Sequence, residues 1–104
     1  MVPKLEPVKR VRVSQGVTQG LLIRKVKPKY PSIALAARVI GEVLLKAVIG
    51  KEGEIKELEL VSGHPLLVPA AIDAVKQWHY RPYLLNGEPV EVETNITVTF
   101  QIGG

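Results

Sequence analysis

The stretch Val90-Glu91-Val92-Glu93-Thr94-Asn95-Ile96-Thr97-Val98-Thr99-Phe100-Gln101-Ile102 decides the architecture. Every even position except Thr94 is apolar and every odd one is polar, so the 13 residues read as one long β-strand with one wet face. Upstream, Asn86-Gly87 marks a turn. Leu67, Ala71, Ala74, Val75 and Trp78 then fall on one helical stripe between about Leu67 and His79. Pro69 must lie in the first turn of that helix, and Pro82 disfavours helical geometry at Arg81. The stripe makes Trp78 a core residue, and His79 a helix-end residue.

Before this helix, Val43, Leu45, Ala47 and Ile49 share one strand face, with Leu44 and Val48 making the other partly apolar. A strand apolar on both faces belongs in the middle of a sheet. Gly50-Lys51-Glu52-Gly53 turns it into a second strand over Glu54–Val61, where Ile55 is out of phase with Leu58 and Leu60 and signals a bulge. Tyr30–Arg38 reads as a short helix opened by Pro31, with Ile33, Ala34 and Ala37 on one face, stopped by Gly41. The order is helix, hairpin, helix, strand. A short strand at Val11–Val13 and an extended run at Leu21–Arg24 precede it.

The chain has 104 residues, 46% of them hydrophobic, and no cysteine. That length fits one domain with one core, and the absence of cysteine excludes disulfides and thiolate metal sites. No apolar run reaches the length of a membrane span, and the amino terminus lacks the apolar stretch of a signal peptide. Residues 1–30 carry eight Lys and Arg against one acid, whereas residues 31–104 carry six bases and nine acids. The basic third reads as an extended linker over 1–24, or an added strand. Residues 1–8, with Pro3 and Pro7, are expected to be extended or disordered. A phosphate-binding arm is the rival use, although no aromatic precedes Tyr30 to stack on bases.

Catalytic chemistry is sparse. Ser62, His64 and Asp73 form no nucleophile elbow, and His64 and His79 lack a third strong metal ligand nearby. Glu57/Glu59 and Glu91/Glu93 read as solvated faces of strands. The chain is therefore expected not to be an enzyme and to need no cofactor or metal. Attention passes to the backbone of the last strand. Glu91 and Glu93 charge its start, but Thr94–Gln101 carries neither charge nor Pro, so the usual protection of an edge is missing there. The edge can take a partner peptide by strand addition, pair with a second copy, or be covered by residues 8–26.

Tyr30-Pro31, Gly41-Glu42-Val43, Ser62-Gly63-His64-Pro65, Ala74-Val75-Lys76-Gln77-Trp78, Tyr80-Arg81-Pro82 and Thr97-Val98-Thr99-Phe100 occur together and in order. In this combination the chain resembles the TonB C-terminal domain family over about residues 25–102. The resemblance implies a two-layer α+β fold, two helices on a three-stranded antiparallel sheet, over residues 25–104. It implies a periplasmic domain tethered to the inner membrane by a segment absent from this chain, which reads as a fragment. Family members couple the proton gradient, through inner-membrane proton-channel partners, to outer-membrane TonB-dependent transporters that import iron chelates (siderophores), vitamins or sugars. They grip the transporter's N-terminal peptide by strand addition. Carried onto this sequence, partner contacts fall on Lys27, Lys29, Tyr30 and the edge Thr94, Asn95, Ile96, Thr97, Val98, Thr99, Phe100 and Gln101. Lys27 stands where the family often has Gln. Tyr80, Arg81 and Pro82 are read as locking the helix end. The alternatives are a homodimeric or scaffold module of an envelope or signalling protein, a TolA-like envelope domain, which the Tyr-Pro and Trp motifs disfavour, and a nucleic-acid binder. No nucleic-acid partner is expected.

Overall fold

The computed structural model describes residues 10–102; the expectation for residues 1–8 lies outside them. The long carboxy-terminal strand is present with its full length, displaced two residues upstream: β7 runs Glu88–Phe100. The elements before it are β1 (Arg10–Arg12), α1 (Gln15–Gln19), β2 (Leu22–Arg24), α2 (Ser32–Ala36), β3 (Gly41–Ile49), β4 (Ile55–Ser62), α3 (Val68–Val75), β5 (His79–Tyr80) and β6 (Tyr83–Leu85).

The doubly apolar strand β3 is central, antiparallel to β4 on one side and to β7 on the other. Its Val43, Leu45, Ala47 and Ile49 are buried, and so is Val48 on the opposite face. The phase break at Ile55 is a register shift: Val48 pairs with Glu57 but Ile49 with Ile55. The stripe Leu67, Ala71, Ala74, Val75, Trp78 is buried against this sheet together with Val92, Ile96, Val98 and Phe100. The resulting α+β architecture, helices on a β4-β3-β7 antiparallel core, is the expected one.

The sheet is larger than expected. β1 adds to the free side of β7 in parallel, Arg10 opposite Glu91 and Arg12 opposite Glu93. β6 adds at the start of β7 across Asn86-Gly87, both with positive φ, a two-residue turn that suits the twist of a hairpin. β2 and β5 make a separate two-stranded sheet.

Four local expectations need correction. The helix expected to reach His79 stops at Val75. The Tyr80 N–H is taken by the Gly53 carbonyl and Glu54 bridges to His79, so cross-strand bonds win over another helical turn, and His79 is a strand residue. Pro31 caps α2 rather than opening it, and Arg38, at φ 55°, ends it before Gly41 does. Ile33 is exposed while Ala34 is buried, because so short a helix presents only one residue to the core. Glu91 is not on a solvated face; it is buried under two cations.

Candidate functional site

The free margin of β7 is defined by one hydrogen bond. The Glu93 carbonyl accepts the Val13 N–H at 3.0 Å, on the side of β7 away from β3. The β3–β7 register runs without a shift from Val92 to Phe100. Backbone groups along a strand alternate sides. Asn95, Thr97, Thr99 and Gln101 therefore direct their N–H and C=O groups outward, while Thr94, Ile96, Val98 and Phe100 direct theirs to β3. The side chains of those same even residues point into the core and are almost fully buried. This stretch can offer main-chain hydrogen bonds on its odd residues, while its even residues offer no side chains to a partner.

The margin is divided along its length. Glu91–Glu93, the charged start of the strand, is occupied by β1. Thr94 and Thr97 are met by α1: Thr18 and Thr94 hydroxyls lie 3.3 Å apart and buried, and the Thr97 hydroxyl donates to Gln15 Oε1 at 3.1 Å. A Ser14 cap starts α1 at this place. Beyond it, Thr97–Gln101 borders an open groove of about 790 Å³. Its other wall is built by Gln19, Lys25, Lys27, Pro28, Tyr30 and Trp78.

That wall is held from beneath. The Trp78 indole N–H donates to the Val26 carbonyl at 2.8 Å, and the Lys25 ammonium lies 5.6 Å from the centre of the Trp78 ring. The Tyr30 hydroxyl donates to the Val39 carbonyl, and its ring meets Phe100 edge-on with centroids 5.4 Å apart. An apolar floor thus carries two cations on its rim.

Of the residues expected to touch a partner, the structure brings Lys27, Tyr30, Thr97, Val98, Thr99, Phe100 and Gln101 to this one groove. Val98 and Phe100 contribute mainly backbone, being 4% and 3% exposed. Lys29 is exposed but outside the wall; Thr94 and Ile96 are buried, and Asn95 lines a separate depression beside Arg12 and Leu44. Sequence reading missed Gln19, Lys25, Pro28 and Trp78 as wall residues. The repeated Lys at 25, 27 and 29, alternating in an extended run, was the only available signal.

Charge around the closed part of the margin is paired. Glu91 accepts from Arg10 Nε at 3.0 Å and from Lys56, and Arg10 also reaches Glu57 at 2.7 Å. Glu93 lies 3.1 Å from both Arg12 and Lys46. The hydrogen bond from Lys56, then that from Arg10, holds the Glu91 carboxyl below the usual carboxylate range against the opposing effect of burial. Lys46 does the same for Glu93, and Glu91 raises the Arg10 guanidinium. Burial pushes the Tyr80 phenol up to about 12. Among the described residues no three metal-ligating side chains cluster, and no helix is long and apolar enough to cross a membrane.

Comparison with known proteins gives the family and the fold. The family described as Gram-negative bacterial TonB protein C-terminal matches residues 26–102. A curated relative named Protein TonB from Vibrio cholerae is 31% identical over 98% of this chain and 46% of its own length. Protein TonB from Xanthomonas campestris pv. campestris is 31% identical over 72% of this chain and 34% of its own. The chain thus spans less than half the length of these curated relatives. A solution structure of the Pseudomonas aeruginosa TonB C-terminal domain superposes with a TM-score of 0.67 at 22% identity, covering 80% of this chain and 86% of that one.

Proposed function

We propose that this chain, which belongs to the TonB C-terminal family, is the periplasmic receptor-binding domain of an energy transducer. It receives the N-terminal peptide of an outer-membrane transporter as an added strand on β7. The observation that carries the reading is the row of outward main-chain groups at Thr97, Thr99 and Gln101, facing a groove walled by Lys25, Lys27, Tyr30 and Trp78. Backbone pairing needs little side-chain identity, so modest selectivity and a shared partner set follow.

Each main-chain hydrogen bond contributes about 0.5–1.5 kcal/mol net, and ordering the peptide offsets part of that. Binding on the order of micromolar results. A row of parallel hydrogen bonds loaded along the strand resists pulling better than that affinity suggests. Such a joint suits force transmission from inner-membrane proton-channel partners, reached through a tether outside this chain, to a transporter of iron chelates or similar cargo. The domain acts without catalysis.

The rival uses are a homodimer or scaffold pairing two copies of the same margin, and a nucleic-acid binder. The second is weakened because Arg10 and Arg12 are engaged by Glu57, Glu91 and Glu93. Thr97→Pro and Thr99→Pro each remove one outward N–H and leave the β3–β7 bonds in place. Calorimetry with a transporter N-terminal peptide should show at least tenfold weaker binding with an unchanged circular dichroism spectrum. Unchanged affinity in both folded variants refutes the reading. A dimer that persists on dilution in sedimentation, and excludes the peptide, favours the homodimer.

A further inference from the structure

We infer that the amino-terminal arm, β1 with α1, is a length gauge that limits the strand added to β7 to about five residues, those facing Thr97–Gln101. The inference rests on the strand-addition reading above.

Three observations carry it. First, the outward groups of Glu91 and Glu93 are consumed by β1, and the Glu93 carbonyl by Val13. Second, α1 blocks the next stretch through Thr18 on Thr94 and Gln15 on Thr97, so no incoming strand can extend past Thr97 without displacing a buried hydroxyl pair. Third, Gln19, one helical turn beyond Gln15, lines the groove, so α1 borders the open part of the margin as well as its blocked part. The basic character of the arm then has a role. Arg10 and Arg12 clamp it to Glu91, Glu57 and Glu93, across β7 and β4, while the buried Val13 and Thr18 seat its far end. The gauge fixes register as well as length, because a strand that abuts α1 can sit in one place only, and a one-residue slip would turn its side chains to the wrong face.

The test uses the full chain with soluble peptides of alternating Thr and Val, five, seven and nine residues long, each bearing a Gly-Asp-Asp tail. On the intact chain the three should bind within threefold of one another. Amide hydrogen exchange should show added protection at Thr97–Gln101 and none at Glu91–Thr94. Deleting residues 1–18, which keeps the groove residue Gln19, should raise the affinity of the nine-residue peptide at least tenfold and leave the five-residue peptide within threefold. Affinity that climbs tenfold from five to nine residues on the intact chain, or a footprint reaching Glu91–Thr94, overturns the gauge and leaves strand addition standing. If the deletion does not fold, the footprint on the intact chain decides alone. Absence of binding at every length overturns strand addition and the gauge with it.

Discussion

Arg10 and Glu91 are 81 positions apart in the chain, yet the Arg10 guanidinium donates to the Glu91 carboxylate at 3.0 Å while Lys56 holds its other oxygen. Glu91 is 4% exposed, so this is a nearly desolvated carboxylate made tolerable by two cations from different strands. The pair ties the amino-terminal arm to β7, the strand that carries the open margin.

Replacing Glu91 by Gln should cost about 1–2 kcal/mol near neutral pH, since hydrogen bonds to charged groups contribute more than neutral ones. The pH dependence has a definite sign. The folded carboxyl titrates below the unfolded value of about 4.3, so the contribution is complete above that value and is lost as pH falls through the lower, folded one. Urea denaturation between pH 7 and pH 3 should show the parent losing stability faster than Glu91→Gln. Parallel curves would show that the pair does not matter energetically.

At the alkaline end the sign reverses. Burial raises the Tyr80 phenol to about 12, so the neutral form stabilises the fold and that contribution falls as pH rises above the unfolded value of about 10. Tyr80→Phe should flatten the loss of stability between pH 10 and pH 12, as read by thermal melts.

Gly53 and Gly16 should respond oppositely to Ala. Gly53 has φ 88°, and a Cβ there would overlap the Tyr80 carbonyl, whose residue it also holds by a backbone hydrogen bond. Gly53→Ala should destabilise by at least about 2 kcal/mol, by strain and by loosening β5. Gly16 sits inside α1 with nothing within 4 Å of an added Cβ. Gly16→Ala should stabilise by about 0.5–1 kcal/mol. Equal effects in denaturation would contradict the geometry.

Trp78→Phe keeps most apolar bulk but leaves the Val26 carbonyl without its indole donor. A stability loss of about 1–2 kcal/mol is expected. Peptide affinity should fall further than stability requires, because residues 25–28 form the opposite wall of the groove. A folded variant with full affinity would mean that the wall positions itself without Trp78.

The parts legible in the sequence were those whose own periodicity reports their burial. The alternation ending at Phe100, the doubly apolar β3, the stripe from Leu67 to Trp78 and the phase break at Ile55 each describe how one segment meets one core, and each appears in the fold. The α+β class followed from them in combination, while the resemblance to the TonB C-terminal family rested on the ordered motifs from Tyr30-Pro31 to Thr97-Val98-Thr99-Phe100.

What only the tertiary structure decided is how distant short segments share those elements. β1, β5 and β6 are two or three residues long, too short for any period to show, and they exist because a long strand or a turn offers them backbone partners. Nothing local in Glu91 distinguishes a solvated carboxylate from a buried one; Arg10 and Lys56 make the difference, and chain closure brings them there. For the same reason the sequence could indicate an unprotected margin on β7 but not its divisions. Which N–H groups face outward is set by pairing with β3 and β1, and the open length is set by where α1 comes to rest.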